Sequence, residues 1–171
     1  GFKILEDAKK KDVALLVYGS PLAATTHISL IQEAKKRRTK VKTIHSASVL
    51  DAVAETGLQL YKFGKIASMP SFSADSYIDI VRQNLSVKAH SLILMDMGLG
   101  FQDALKRMES DSRKKGVNID KIIVCERLGL KDSHTYYDTT NRLRYLKIKA
   151  PFCIIIPGEL HFVEREFLNS I

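Results

Sequence analysis

The 171-residue chain contains no tryptophan, two cysteines and four prolines, and its acidic residues are in the minority, 19 against 27 Lys+Arg. The nearly apolar runs Leu92 to Met97, Ile122 to Cys125 and Phe152 to Ile156 are far shorter than the roughly 20 residues that a membrane helix requires. The sequence does not open with the charged, apolar, small-residue progression of a signal peptide, so a cytoplasmic location is expected. Cys125 and Cys153 lie inside apolar runs, with no CxxC spacing and no neighbouring histidine. They read as reduced core thiols, not as a zinc site or a disulfide framework. Also missing are GxSxG, HExxH and a Walker loop ending in GK[ST], which removes support for serine hydrolase, zinc protease and nucleoside-triphosphatase chemistry. No internal repeat and no low-complexity tract is present.

What is present is an ordinary globular composition, 45% hydrophobic and 27% charged, with a formal charge of +8. That surplus favours an acidic partner. Its densest cluster, Lys35, Lys36, Arg37, Arg38, Lys40 and Lys42, straddles the end of an expected helix, where cations complement the exposed carbonyls. No aromatic residue interleaves it, as stacking on nucleic acid would need, so nucleic acid is not a required partner.

Short apolar runs alternate with helical patterns of ten residues or more, the signature of an α/β protein. Strands are expected at Asp12 to Tyr18, Val41 to His45, His90 to Met97, Lys121 to Glu126 and Phe152 to Pro157. Helices are expected over Phe2 to Lys10, from about His27 to Arg38 with Thr25 or Thr26 as N-cap, and from Ser46 or Ser48 to Glu55, ending at Gly57. Further helices are expected at Ser73 to Val87, at Phe101 to Lys115 before Gly116, and after His161. The segment LQLYKFGKIASMP reads as loop and short strand, and Leu130 to Asn141 carries the least pattern.

Single motifs are weak. The loop GSPLAATTH from Gly19 to His27 follows one strand and precedes one helix, where open α/β sheets bind ligands, yet an ordinary βα connection looks the same. His27 reads as a structural hydrogen-bonder at a helix start, and the GLG at Gly98 to Gly100 lacks the third glycine of a dinucleotide loop. Asp96, at a strand end, fits a ligand contact or a solvated carboxylate equally. His161 and Glu164 are explained by capping or surface pairing.

Taken in order, GSPLAATTH, HSASVLDAVAETGLQLYKFGKIAS, LILMD, ERLG and IIIPGELHFVEREFL resemble the diphthine synthase family over essentially the whole chain, with TGLQLYKFG and PGELHFVE the most specific blocks. The resemblance implies a two-lobed tetrapyrrole methylase-like fold: residues 1–46 would be the remainder of an amino-terminal α/β lobe, and residues 47–171 a carboxy-terminal lobe with a mixed sheet flanked by helices. Family members begin with a strand and a GLG turn that have no counterpart here, so the first lobe is expected to be incomplete. The resemblance further implies S-adenosylmethionine as cofactor, held in the cleft between the lobes, with S-adenosylhomocysteine as product. It assigns cofactor contacts to Ser20, Ala23, Ser48, Val49, Met97, Leu128 and Phe152. Ser20 stands where the family carries aspartate, which removes a charge-assisted hydrogen bond. Leu128 stands where a small residue is common, and Phe152 where family members often carry histidine.

The implied activity is methylation of the amino group of the modified histidine on elongation factor 2, in diphthamide biosynthesis, by a cytoplasmic homodimer. Attack of an uncharged amine on a sulfonium methyl needs no metal and no named catalytic residue, only orientation and exclusion of water. Two other expectations stand beside it. One is a truncated, non-catalytic paralogue or fragment that retains partner binding and dimerisation. The other is a basic RNA-binding α/β domain, whose binding would weaken steeply with salt.

Overall fold

The computed structural model describes residues 3–171; the Phe2 end of the first expected helix lies outside them. The chain divides into two compact units, Gly1–Ala52 and Val53–Ile171.

The first unit holds α1 (Lys3–Asp7), α2 (Ile28–Lys36) and α3 (Val49–Ala52). Helix α2 buries Ala34 and closes with Arg38 at positive φ; Arg38 N–H donates to Lys35 O at 3.0 Å and Thr39 N–H to Ala34 O at 2.9 Å. Those two bonds satisfy carbonyls that the last turn would otherwise leave bare. The cap at its other end differs from the expected one. His27 occupies the N-cap position without a side-chain cap, because Thr25 Oγ1 is engaged with the His27 ring instead. Helix α3 starts as its sequence requires: Ser48 Oγ accepts the Leu50 N–H at 3.2 Å, and Ser48 N–H donates to Asp51 Oδ2 at 3.2 Å.

The strands expected at Asp12 to Tyr18 and Val41 to His45 are corrected by the structure. Among the described residues, 12–18 and 40–47 make no backbone-to-backbone hydrogen bond and pair with no strand. Apolar, β-branched composition suits a strand, but a strand exists only through its ladder. Leu16 is 91% and Ile44 76% exposed.

The second unit is built on a five-stranded mixed sheet of β1 (Ala67–Met69), β2 (Ser91–Met95), β3 (Lys121–Glu126), β4 (His134–Thr139) and β5 (Phe152–Ile156), in the order β1-β2-β5-β3-β4. β1 and β2 run parallel, and every other neighbouring pair is antiparallel. The three middle strands lack a polar alternate because both faces of the sheet are covered. Ile93, Ile122, Val124, Ile154 and Ile156 join one core with α4 (Ser76–Ser86) and α5 (Phe101–Lys114), while the alternate residues Leu92, Ile123, Cys125, Cys153 and Ile155 are buried as well. β4 emerges from the stretch in which the sequence shows least pattern. Its residues HTYYDT are β-formers but polar, as suits the edge of a sheet.

Helix α5 buries Phe101, Ala104, Leu105, Met108 and Ser112 at helical spacing. It stops at Gly116, whose φ of 65° lets Val117 N–H return to Ser112 O at 2.9 Å. Arg107 on α5 donates to Pro70 O at 2.7 Å and Ala74 O at 3.0 Å, which fixes the loop leaving β1. Helices α6 (Thr140–Leu143) and α7 (Phe162–Leu168) complete the unit.

Candidate functional site

In the first unit the loop from Gly19 to His27 is held by its own atoms. Gly19 has a φ of 76°, and a Cβ there would lie 3.6 Å from the Ala47 carbonyl, so the start of this loop packs against the segment leading into Ser48. Ala23 N–H donates to Ser20 O at 3.3 Å, closing a turn over the proline. His27 Nδ1 is 2.9 Å from the Pro21 carbonyl and therefore carries a proton and donates there; it also lies 3.0 Å from Thr25 Oγ1. The histidine is thus a brace for the loop, as its place at a helix start suggests. Of the four expected cofactor residues in this unit, Ser20, Ala23, Ser48 and Val49 are all half-buried. The Ser48 hydroxyl is committed to its cap, whereas the Ser20 hydroxyl makes no hydrogen bond among the described residues.

In the second unit the remaining three candidates gather at one end of the sheet. Met97 follows the carboxyl end of β2 and Leu128 that of β3, while antiparallel Phe152 opens β5 opposite Glu126. The Arg127 N–H donates to Pro151 O at 2.8 Å and buried Glu126 accepts the Lys149 N–H at 2.9 Å, so the turn bearing Leu128 is fastened to the chain entering β5. Met97 is 94% exposed, Leu128 is half-buried and Phe152 is buried. Phe152 stacks edge-to-face on Phe101, the first residue of α5, with ring centroids 5.7 Å apart, and it supports this end of the sheet from the core. Gly98 takes a φ of 90° in open surroundings, so glycine there serves the turn and not a close approach.

Asp96 is occupied within the unit. Its carboxylate accepts the Ser71 N–H at 3.1 Å, the Ser71 hydroxyl at 2.9 Å and the Met97 N–H at 2.9 Å. These bonds, the Ser71 amide foremost, hold it below the usual carboxylate range and join the ends of β1 and β2.

The two most specific sequence blocks meet as a structural clasp. Glu164, fully buried at the start of α7, accepts Lys62 Nζ at 2.6 Å, Gln59 N–H at 2.9 Å, His161 N–H at 2.8 Å and His90 Nε2 at 3.1 Å. Burial alone would raise its pKa, but Lys62, the two amides and His90 together bring it down to about 2. His90 Nδ1 accepts the Gly158 N–H at 2.9 Å, which leaves the proton on Nε2, facing Glu164. Its pKa is lowered, chiefly by burial, with Glu164 working against that and Lys62 with it. Lys62 Nζ also reaches Glu159 O at 2.7 Å. His161 and Glu164 do form the expected reciprocal cap, but the surface pairing expected of Glu164 is overturned: its side chain is sealed from solvent and answers a lysine 102 residues earlier. Sequence spacing could not reveal this, since the partners lie on separate blocks. The only signal was that both blocks were distinctive.

Among the described residues no group of His, Cys, Asp and Glu could hold a metal ion, and no helix is long and apolar enough to cross a membrane.

The sequence pattern of the Tetrapyrrole (Corrin/Porphyrin) Methylases matches residues 3–143. The diphthine synthase of Methanocaldococcus jannaschii is 38% identical over 189 residues, covering 100% of this chain and 73% of that protein. The diphthine synthase of Methanococcus maripaludis is 35% identical over 185 residues, covering 99% of this chain and 72% of the relative. A crystal structure of diphthine synthase superposes with a TM-score of 0.89 at 28% identity, covering 99% of this chain and 69% of the other. The match to the methylase pattern over residues 3–143 and identities above 30% over nearly the whole chain have one reading: the chain belongs to the diphthine synthases, methyltransferases within the tetrapyrrole methylase family.

Proposed function

We propose that the chain uses S-adenosylmethionine to methylate the amino group of a modified histidine on elongation factor 2. The observation that carries the reading is the gathering of Met97 and Leu128, over buried Phe152, at the end of the sheet where β2 and β3 finish. An almost fully exposed methionine on a glycine turn is costly in water and suited to an apolar ligand face.

The residues present fit such a cofactor. Ser20 offers a free hydroxyl for a polar group, Ala23 leaves room beside it, and Val49, next to the capping Ser48, adds an apolar side chain at the start of α3. Met97 and Leu128 offer apolar surface to a base or a hydrocarbon chain. When bound, the cofactor supplies a methyl group already activated by its sulfonium. The chain's own contribution is to hold that group in one orientation and to keep water away, which is why no acid or base is assigned. With aspartate replaced by Ser20, binding relies on neutral hydrogen bonds and apolar contact.

The finer parts of the reading follow from the family's activity: elongation factor 2 as protein substrate, a homodimer as the working form and the cytoplasm as its place. The surplus of basic residues suits an acidic protein surface, so association should weaken as ionic strength rises.

Calorimetric titration of the whole chain with S-adenosylhomocysteine tests the cofactor site without requiring turnover. Micromolar binding is expected, lowered by about tenfold or more in Ala23→Trp and Met97→Asp, with the unfolding midpoint unchanged. Absence of heat at millimolar ligand, or full affinity in both variants, rejects the site. Transfer of a labelled methyl group to elongation factor 2 bearing the modified histidine then tests the substrate.

A further inference from the structure

In the second unit β1, β2 and β3 all finish at the sheet end where β5 begins. From the β1 edge inward, that end carries the loop after β1, the turn of Met97, the entry to Phe152 and the turn of Leu128. The three expected cofactor contacts there thus belong to neighbouring strands, β2, β5 and β3, two strand spacings or about 10 Å across. The loop after β1 lies one spacing further out, about 5 Å. It carries Phe72, which is 69% exposed and outside every ring contact among the described residues. Both shoulders of this loop are pinned. Arg107 donates to Pro70 O at 2.7 Å and to Ala74 O at 3.0 Å. Ser71 gives its N–H and its hydroxyl to Asp96 Oδ2, while Asp96 Oδ1 accepts the Met97 N–H. One carboxylate therefore sets the residue before Phe72 beside Met97. Two large apolar side chains exposed on adjoining braced turns, unlike a single one, mark an interaction site.

We infer that Phe72 is a substrate-binding residue whose ring stacks on the imidazole of the histidine to be methylated. The inference rests on the methyltransferase reading and names the contact that receives its acceptor. A cofactor lying over the ends of β2, β5 and β3 leaves Phe72 at its rim, on the Met97 side. What meets the ring is then the partner protein and not the cofactor. The acceptor has to bring its nitrogen to the sulfonium methyl at near-attack distance, roughly 3–3.5 Å. Its flat unsaturated ring is the part that an exposed phenyl binds well, offset-stacked or edge-on. On a loose loop much of that contact would be offset by the entropy of ordering the chain. The Arg107 and Asp96 bonds have ordered it before the partner arrives. Phe72 moves no proton; it acts by orientation, in keeping with a reaction that needs no acid or base from the chain.

The test is binding of elongation factor 2 bearing the modified histidine to the whole chain, with and without saturating S-adenosylhomocysteine, so that no turnover is required. Phe72→Ala is expected to weaken binding by about tenfold, while Phe72→Tyr, which keeps the ring, stays within about twofold of the wild type. The affinity for S-adenosylhomocysteine and the unfolding midpoint should not move. Elongation factor 2 with its acceptor histidine replaced by alanine closes the cycle, and against it Phe72→Ala should cost nothing. Five outcomes overturn the inference. They are no binding of elongation factor 2 by the wild type, unchanged binding in Phe72→Ala, and an equal loss in Phe72→Tyr. The others are a parallel loss of S-adenosylhomocysteine affinity, which assigns the ring to the cofactor, and an undiminished loss against the alanine form, which assigns it to another part of the partner. Failure of the cofactor site is separable. A wild-type chain that takes up no S-adenosylhomocysteine, yet loses elongation factor 2 on Phe72→Ala, keeps this contact and rejects that site.

Discussion

Ile154 and Ile44 are the same residue in two segments whose sequences both read as strands, yet one is fully buried and the other 76% exposed. Ile154 sits in β5, hydrogen-bonded on one side to β2 and on the other to β3. Ile44 sits in a segment of the first unit with no ladder on either side. The difference lies in the neighbours and not in the residue itself. In the second unit the apolar strands β2, β3 and β5 each find two partners; in the first, aliphatic side chains such as Val13, Leu15 and Val41 line an open hollow. Burial is a property of the assembled sheet, and apolar composition states only the demand for it.

The widest gap should open when the two isoleucines are truncated. Ile154→Ala is expected to lower the stability of the second unit by about 2–5 kcal/mol through a core cavity. Ile44→Ala should change that of the first by less than about 0.5 kcal/mol, as an exposed position does. Urea unfolding followed by probes in each unit measures both, and equal costs would break the contrast drawn here.

The clasp sharpens it next. Glu164→Gln removes the charge that answers Lys62 and should cost about 3 kcal/mol at neutral pH, a buried ion pair losing one partner. The folded pKa of Glu164, about 2, lies below the unfolded value of 4.5, so its contribution is complete above about pH 5 and is lost as pH falls toward 2. His90, also lowered by folding, adds a loss that begins below its unfolded value of 6.5, since the unfolded imidazole takes up a proton first. The wild-type acid unfolding curve should therefore descend in two stages, and the variant should lack the lower one. An unchanged curve in Glu164→Gln would remove the clasp from the account.

A smaller effect tests whether the fit between blocks is steric as well as ionic. At Gly57, with φ of 75°, an added Cβ would stand 2.4 Å from the Phe167 ring. Gly57→Ala should destabilise by about 1–3 kcal/mol, part of it recovered against a Phe167→Ala background in a double-mutant cycle. Smallest of all, Ser48→Ala should cost about 1 kcal/mol by uncapping α3, visible as faster amide exchange confined to the first unit.

Much of the second unit was legible because its elements are amphipathic or wholly apolar. Lys121 to Glu126 appears as a strand with the expected bounds, and α5 ends at the expected glycine. β4 was not legible, since an edge strand takes polar β-formers that read as loop. The expected strands of the first unit failed for the opposite reason: their composition suits strands, but among the described residues they pair with none. At the site, the seven expected positions came from resemblance, and the structure brings Met97, Leu128 and Phe152 to one sheet end. The role of the YKFG and PGELHFVE blocks was hidden, because a contact between Lys62 and Glu164 leaves no periodic trace in either block.

The sequence by itself determined the alternation of helices and apolar strands, the helix stops and the order of blocks that gives the family. Those are local matters of φ, capping and side-chain period, decided within a few residues. Only the tertiary structure decided which apolar segment becomes a strand, which carboxylate is buried and which residues share a sheet end. Each of these depends on a partner far away in the chain, and a hydrogen bond or a desolvated charge has no stable form until that partner is in place.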